Sequence, residues 1–235
     1  MITEEKLNPP FEIDVSILED ELKSRLNKGV EKYSKIVSLK EIKKIHQILL
    51  FKRKTLERLL KKTPLRGFDG DGKDKKYPYQ EAKIEVSKID PSIVKLGQRF
   101  LSKSKLHKMI SQEEDSCLNV LKEYITQGIS KIPPILVYGE DIHKNPRIAI
   151  YIPPLIEVHG KDTILIDGTH RAYLCSKVGT TTLAVYIQGN LPPLPFEPIN
   201  WEEIQITERK PPIKERYKNL NQRLFRDLRK IGIDS

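Results

Sequence analysis

The sequence between Thr163 and Gly179 joins a strand-like run to a helix-like run through residue types that can bind an anion. Its first four residues, 163–166, are β-branched or aliphatic and predict a strand, which ends at Asp167-Gly168. The following residues predict a helix that begins at Thr169 and ends before Gly179. This order of strand, glycine turn and helix predicts that the amino end of the helix lies beside the end of the strand.

The side chains at this turn are types that hold phosphate groups in proteins. Gly168 lets the backbone approach a ligand closely, and the first helical turn offers unpaired N–H groups and the positive end of the helix dipole. Thr169 adds a hydroxyl, His170 a further donor, and Arg171 a guanidinium that can bind phosphate oxygens in a bidentate fork. Asp167 either caps the helix or holds the neighbouring cations or a metal ion. Two interpretations follow: a phosphate site or a capped structural turn.

The composition favours a polyanionic partner. The chain has 235 residues, with 42 Lys and Arg against 32 Asp and Glu, so its formal net charge is +10. This charge suits a nucleotide or nucleic acid, although solvated lysine faces give the same balance. No apolar run approaches the ~18–20 residues that span a bilayer, and the polar amino terminus lacks a signal-peptide pattern. We therefore expect a cytoplasmic protein without a membrane partner, and the sequence leaves a homodimer open.

Helical periodicity dominates the first quarter of the chain. Apolar residues recur at helical spacing over 15–36 and again over 39–62. We therefore expect an antiparallel helical hairpin over 1–64, followed by a polar linker over 65–80. The glycine- and aspartate-rich part of this linker departs from the EF-hand pattern, so the protein alone is expected to supply no metal site.

The middle of the chain, 81–188, alternates strand-like and helix-like segments. Residues 147–158 alternate as well, but Pro153-Pro154 interrupts them, which predicts a sheet edge or an insertion. A hairpin loop is predicted over 159–162. We therefore expect an α+β fold with a small mixed β-sheet and flanking helices, its other strands lying at 83–89, 135–138, 163–166 and 180–187 and a helical region at about 103–128.

The last part of the chain, 189–235, combines a Pro-rich segment with a predicted basic amphipathic helix over 213–231. We expect its apolar stripe to dock on the domain and its basic face to point outward. This face and that of the second N-terminal helix could follow a phosphate backbone. The residues expected to contact nucleic acid are Lys43, Lys52, Arg53, Arg223, Arg226 and Arg229.

Residues 82–187 resemble the ParB/sulfiredoxin superfamily. The resemblance is carried by Pro134-Ile-Leu-Val137 and by Ile166-Asp-Gly-Thr-His-Arg171, which has the form of a DGxHR motif. It implies a small mixed sheet with a nucleotide phosphate site at the start of a helix. Gly168, His170 and Arg171 match the phosphate-contacting positions of the family, with Thr169 between them. The resemblance implies ATP, ADP or CTP as ligand, together with Mg²⁺.

Several activities within the superfamily fit this chain poorly. Sulfiredoxins carry their catalytic cysteine where this chain has Thr169, and Cys175 lies in an apolar neighbourhood, so we do not expect sulfinate reduction. ParB partition proteins continue into a multi-helix DNA-reading domain, for which the segment after Ile187 is expected to be too short. The motif is closest in form to those of free-serine kinases and DGQHR-type proteins.

We therefore expect a nucleotide-binding protein with NTPase or phosphotransferase activity. Free-serine kinases use a catalytic glutamate shortly after their first strand, where this chain offers Asp90. Glu140 and Asp141, after the second strand, are the other candidates for the catalytic base. The alternative is a DNA-binding regulatory or defence-associated protein of the ParB-like or DGQHR type, without turnover. A protein-interaction module that docks through the N-terminal hairpin is a third interpretation.

Overall fold

The structure is a computed structural model, and it describes residues 36–37, 39–68, 76–111, 131–209 and 211–228. These residues form an α+β fold, as the sequence predicts. Its α-helices are α1 (Arg53–Lys61), α2 (Lys103–Ser111), α3 (Thr169–Lys177) and α4 (Ile213–Arg216). Its strands are β1 (Ile36–Val37), β2 (Lys44–Leu50), β3 (Lys83–Ile89), β4 (Lys95–Leu96), β5 (Phe100–Ser102), β6 (Ile135–Glu140), β7 (Pro146–Tyr151), β8 (Leu155–His159), β9 (Asp162–Asp167), β10 (Thr182–Gln188) and β11 (Gln205–Thr207).

The first sheet has the strand order β1-β7-β6-β2, in which β6 is antiparallel to both of its neighbours. Strand β6 is buried on both faces. Leu136 and Tyr138 belong to the largest apolar cluster, whereas Ile135 and Val137 belong to a second cluster with Ile42. This double burial explains why β6 has a continuous apolar run rather than an alternating one.

The second sheet has the strand order β3-β10-β8-β9-β4 and packs between the first sheet and helix α3. Leu155 and Val185 face the first sheet in the largest cluster, while Ile156 and Ala184 face the other side together with Ala172 of α3. Alternate residues of a strand point to opposite faces, which fits this division. A third, two-stranded sheet pairs β5 with β11 in parallel.

Several predictions for the second sheet are confirmed. Strand β3 matches the predicted segment 83–89, β9 covers the predicted segment 163–166, and β10 begins at residue 182, two residues later than predicted. Helix α3 follows the predicted Asp167-Gly168 turn. The loop between β8 and β9 is a tight hairpin, in which His159 pairs with Asp162 and Gly160 has φ of +63°. The conformation of this hairpin therefore follows from the local sequence of the turn.

The prediction that Pro153-Pro154 confines residues 147–158 to an edge or an insertion is wrong. Strand β7 lies between β1 and β6 in the first sheet, and β8 lies between β10 and β9 in the second. The two prolines occupy the connection between the sheets, where a missing backbone N–H interrupts no ladder. The Pro154 carbonyl still accepts a hydrogen bond from the Val185 N–H at 2.8 Å.

The prediction of one continuous helix over 39–62 is also wrong. Residues 44–50 form strand β2, which pairs antiparallel with β6, and only Arg53–Lys61 form a helix. Strand β6 would otherwise leave the backbone groups of one edge unpaired, and β2 satisfies them. The spacing of the apolar residues is compatible with a helix, but pairing with the distant strand β6 makes residues 44–50 a strand. The first predicted helix, over 15–36, lies outside the described residues except for its last position.

The predicted linker over 65–80 contains core residues at both ends. Leu65 and Tyr79 are buried, and Leu65 forms a backbone bridge with Arg226. The intervening residues 69–75 lie outside the described part of the chain. The segment therefore does not separate the amino-terminal elements from the sheets, because the Tyr79 side chain belongs to the same cluster as α1 and β6.

The predicted helix over 213–231 is wrong as a continuous element. Helix α4 ends at Arg216, and Tyr217 continues in extended backbone with φ of −127° and ψ of 140°. Tyr217 stacks on Phe196, with ring centroids 5.3 Å apart. Phe225 packs edge-on against Tyr217, with ring centroids 5.1 Å apart. Aromatic packing against Ile164 outweighs helix propensity in this segment.

Two further expectations fall partly within the described chain. Helix α2 begins at Lys103, as predicted, and residues 112–128 of the predicted helical region lie outside the described residues. Across the described residues, no helix is both long and apolar enough to cross a membrane.

Candidate functional site

The turn between β9 and α3 has a backbone shape that requires glycine. Gly168 precedes the helix with φ of +87°, and a Cβ at this position would lie 2.8 Å from Pro154 atoms. Both facts disfavour any other residue, because L side chains rarely adopt positive φ and a contact of 2.8 Å is an overlap. The interface between the turn and Pro154 therefore fixes how α3 leaves the sheet.

Arg171 ties this turn to the connection between the two sheets. Its Nη1 donates to the Ile152 carbonyl at 2.8 Å, and its Nη2 donates to the Asp167 carboxylate at 3.3 Å. The guanidinium lies over the Tyr151 ring, 5.1 Å from the centroid. Burial alone lowers the Arg171 pKa, but charge interactions with Tyr151 and Asp167 outweigh it and raise the pKa. Arg171 therefore stays charged and acts as a cross-link within the protein.

His170 connects the start of α3 to the start of α2. The backbone N–H of Ser102 donates to His170 Nε2 at 2.9 Å, so this ring nitrogen is unprotonated and the neutral ring carries its proton on Nδ1. The Ser102 hydroxyl in turn accepts from the Lys105 N–H at 3.3 Å, as a helix-capping serine does. Thr169, next to His170, is buried. The amino ends of two nine-residue helices therefore lie side by side.

The strand pairing explains this arrangement. Strands β4 and β9 are neighbours and run parallel, and the Gly97 N–H continues their ladder to the Leu165 carbonyl at 3.2 Å. The chain therefore leaves both strands at the same edge of the sheet, toward α2 from one and toward α3 from the other. Ligands of open α/β sheets commonly bind at the carboxyl edge of parallel strands.

Cationic side chains lie at the start of α2, next to His170. Lys103 and Lys105 are exposed, and Lys103 forms a surface ion pair with Glu208 at 2.5 Å. Arg99, three residues before Ser102, has a buried Nε without a hydrogen-bond partner within the described chain. The sequence predicts this second helix start but not its position beside α3, because Ser102 and His170 are 68 positions apart.

The three candidate catalytic carboxylates do not meet at this turn. Asp90 caps a short 3₁₀ turn by accepting from the Ser92 N–H at 2.9 Å. Hydrogen bonds with the Ser92 side chain and with the Ser92 N–H lower the Asp90 pKa. Strands β10 and β8 separate its strand β3 from β9. At about 4.8 Å per strand, Asp90 is roughly 14 Å or more from Asp167.

Glu140 and Asp141 lie at the opposite end of β6 from Arg171. Glu140 pairs with Pro146, whereas Tyr151, which contacts Arg171, pairs with Ile135. At about 3.3 Å per residue, these ends are roughly 17 Å apart. The Glu140 carboxylate is 2.9 Å from His46 Nε2 of β2, which also lies away from the turn.

Asp141 has a structural role in its loop. It accepts hydrogen bonds from the His143 and Asn145 N–H groups at 2.8 and 2.9 Å, and it pairs with Arg147 at 2.8 Å. Partial desolvation raises its pKa, but the Asn145 and His143 hydrogen bonds and the Arg147 charge outweigh that effect and lower the pKa to about 2. Asp141 therefore organises the loop after β6.

The predicted nucleic-acid contacts divide into exposed and buried residues. Lys43, Lys52, Arg53 and Arg223 are exposed, and Arg53 pairs with Glu57 at 2.9 Å. Arg226 is only 1% exposed, which contradicts its assignment to an outward basic face. Its environment is a buried ion cluster, described next. Arg229 lies outside the described residues.

Arg226 is paired with Glu157 of β8 through two hydrogen bonds of 2.8 Å. Glu157 also accepts from the Tyr79 hydroxyl at 2.6 Å and lies 2.7 Å from His159 Nε2. Burial raises the Glu157 pKa, but His159, Arg226 and Tyr79 outweigh it and lower the pKa. Sequence reasoning missed this cluster because Glu157 and Arg226 are 69 positions apart.

Cysteine and metal-ligand side chains were the other candidates for chemistry in the described part of the chain. Cys175, the one cysteine within the described ranges, is buried in α3. In the same ranges, no group of three or more His, Cys, Asp and Glu side chains is placed to hold a metal ion.

Comparisons with protein-family models, with curated proteins and with solved structures find no match to this chain.

Proposed function

We propose that the protein binds a nucleotide, with the nucleotide phosphates resting where the amino ends of α2 and α3 meet. The main support for this proposal is the hydrogen bond of 2.9 Å from the Ser102 N–H to His170 Nε2. This bond joins the two helix starts at the sheet edge where the parallel strands β4 and β9 end. Helix amino ends attract anions through their N–H groups and dipoles, and two adjacent ends attract more strongly than one.

The neighbouring residues supply the properties that a phosphate site needs. Gly168 gives the turn the positive φ with which α3 begins, and Lys103 and Lys105 provide positive charge at the rim. His170 contributes a ring already oriented by Ser102. In this proposal Arg171 positions the turn through Ile152 and Asp167, and it does not serve as the bidentate fork expected from the sequence.

The ligand class follows from the resemblance to the ParB/sulfiredoxin superfamily, which is part of the proposal. It implies ATP, ADP or CTP, with Mg²⁺ held by the phosphates. NTP hydrolysis or phosphotransfer would also need a base near the turn, and Asp90, Glu140 and Asp141 are all far from it. Binding is therefore the central claim, and turnover is a separate prediction of the resemblance.

The proposal is tested by isothermal titration with ATP, ADP and CTP, each with and without Mg²⁺. We expect heat of binding for at least one of them. The double variant Lys103→Glu/Lys105→Glu should weaken that binding, because it reverses charge at the helix start without touching the core. The control Lys88→Glu/Lys161→Glu changes the net charge equally at exposed positions away from the turn.

Two outcomes would contradict the proposal. One is the absence of heat with all three nucleotides. The other is an equal loss of affinity in the two double variants, because it would mean that only the net charge matters.

A further inference from the structure

Helix α1 has an apolar face that is fully used within the protein. Leu56, Leu59 and Leu60 are buried in the largest cluster of the core, beside β6 and β10, and Thr55 is buried as well. The helix therefore cannot turn this face toward a membrane or a partner without unfolding. Only its opposite face is available for contact.

The opposite face of α1 is strongly basic. Lys54, Arg58 and Lys61 follow one another at helical spacings of four and three residues, so they lie on one side. Glu57 is the single acidic residue between positions 52 and 62, and it pairs with Arg53 at 2.9 Å. The cationic residues in and next to the helix, which we call the basic ridge, are Lys52, Arg53, Lys54, Arg58, Lys61 and Lys62.

The chemistry of the basic ridge distinguishes among anionic partners. An interfacial membrane helix buries its apolar face in lipid, but that face of α1 is already buried in protein. A repeating phosphodiester backbone requires only a row of cations, since each contact releases condensed counterions. All ridge residues except the half-buried Lys61 are exposed, and the chain as a whole has a net charge of +10.

We propose that the basic ridge of α1 binds the phosphate backbone of a nucleic acid. The interaction is independent of base sequence, because a row of exposed cations on one helix face contacts phosphate oxygens, which carry no sequence information. It also uses a different surface from the nucleotide site, so either proposal can fail without the other.

The test is fluorescence anisotropy with a labelled duplex DNA of about 20 base pairs and a single-stranded RNA of similar length, between about 50 and 200 mM NaCl. We expect wild-type affinity for at least one of them to fall steeply with salt. In the triple variant Lys54→Glu/Arg58→Glu/Lys62→Glu, affinity should fall on the order of tenfold or more, and the log–log salt slope should drop by about three.

The matched control is Lys88→Glu/Lys161→Glu/Lys214→Glu, which removes the same charge from exposed positions outside the ridge. It should retain binding and the wild-type salt slope. The single variant Lys54→Gln, which should lower the slope by about one, covers the case in which the triple variant does not fold. The proposal is overturned if the wild type binds neither probe, or if the control and the triple variant lose affinity equally.

Discussion

At the residue scale, Arg171 and Arg226 have structural roles that their neighbouring sequence does not predict. Arg171 belongs to a motif that predicts a phosphate ligand, and Arg226 belongs to a run that predicts an exposed basic helix. In the structure, both are cross-links: Arg171 holds the Ile152 carbonyl, and Arg226 holds Glu157. A guanidinium that is desolvated and fully paired contributes to the fold rather than to a surface charge.

Replacing Arg226 should be severely destabilising. Arg226→Leu leaves the buried Glu157 carboxylate without its bidentate partner, and breaking such a pair costs about 3–5 kcal/mol. Urea unfolding followed by circular dichroism measures the effect. The double variant Glu157→Leu/Arg226→Leu should cost less than Arg226→Leu alone, because it removes both charges together. A loss below about 1 kcal/mol for the single variant would show that the pair is not closed in solution.

Glu157 should also make the stability depend on pH. Its pKa is lower in the folded protein than its ordinary value of 4.5, so it stabilises the fold above that value. This contribution is lost as the pH falls through the folded pKa. Wild-type unfolding free energy should therefore decrease more steeply below about pH 4.5 than that of Glu157→Gln. Parallel curves for the two proteins in this range would contradict the assignment.

Arg171→Ala should lower the unfolding free energy by about 1–3 kcal/mol, because it leaves the Ile152 carbonyl without its donor. The sequence alone predicts the opposite: loss of nucleotide binding with little loss of stability. Thermal unfolding separates the two. An unchanged midpoint of thermal unfolding in Arg171→Ala would contradict the structural role and would support a ligand-binding role for Arg171.

At the element scale, the strand, turn and helix around Gly168 could be predicted, but the partners of these elements could not. The turn signal is local, since Asp-Gly follows a β-like run. By contrast, the pairing of β2 with β6 and the meeting of α2 with α3 join segments far apart in sequence. Apolar spacing over residues 39–62 fits a helix, and nothing within that segment indicates that β6 has an open edge.

The glycine at the start of α3 should be more sensitive to substitution than the glycine of the β8–β9 hairpin. Gly160 also has positive φ, but a Cβ there would meet nothing within 4 Å. Gly160→Ala should therefore cost about 1–2 kcal/mol from backbone strain alone. Gly168→Ala should cost about 1–3 kcal/mol more, because its Cβ would overlap Pro154. Equal losses in chemical unfolding would contradict the packing of the turn against Pro154.

At the scale of the whole molecule, segments from distant parts of the described chain meet in the same apolar cluster. Side chains from α1, β6 and β10 and the late residue Leu228 meet in the largest cluster. The alternation of strand-like and helix-like segments could predict an α+β class. The expected divisions at 65–80 and 189, by contrast, rest on polar and proline-rich segments whose buried residues contact distant parts of the chain. Their burial becomes visible only once the sheets are assembled.

The molecule should therefore unfold as one unit. Trp201 lies in the segment after β10, and its Nε1 donates to the Pro91 carbonyl at 2.8 Å, so its fluorescence reports on the docking of that segment. Far-UV circular dichroism reports on all secondary structure. We expect the two urea transitions to coincide. A fluorescence transition at clearly lower urea would identify residues 189–228 as a separately unfolding extension.

The central claim is that nucleotide phosphates rest where α2 and α3 begin. Its most direct test is an NMR titration of the ¹⁵N-labelled protein with Mg²⁺ and ATP, ADP or CTP, followed through backbone amide shifts. We expect the largest chemical-shift changes at the backbone amides of residues 102–105 and 168–171, whose N–H groups lie at the two helix starts. Nucleotide-dependent shifts confined to other residues, or none with any of the three nucleotides, would contradict it.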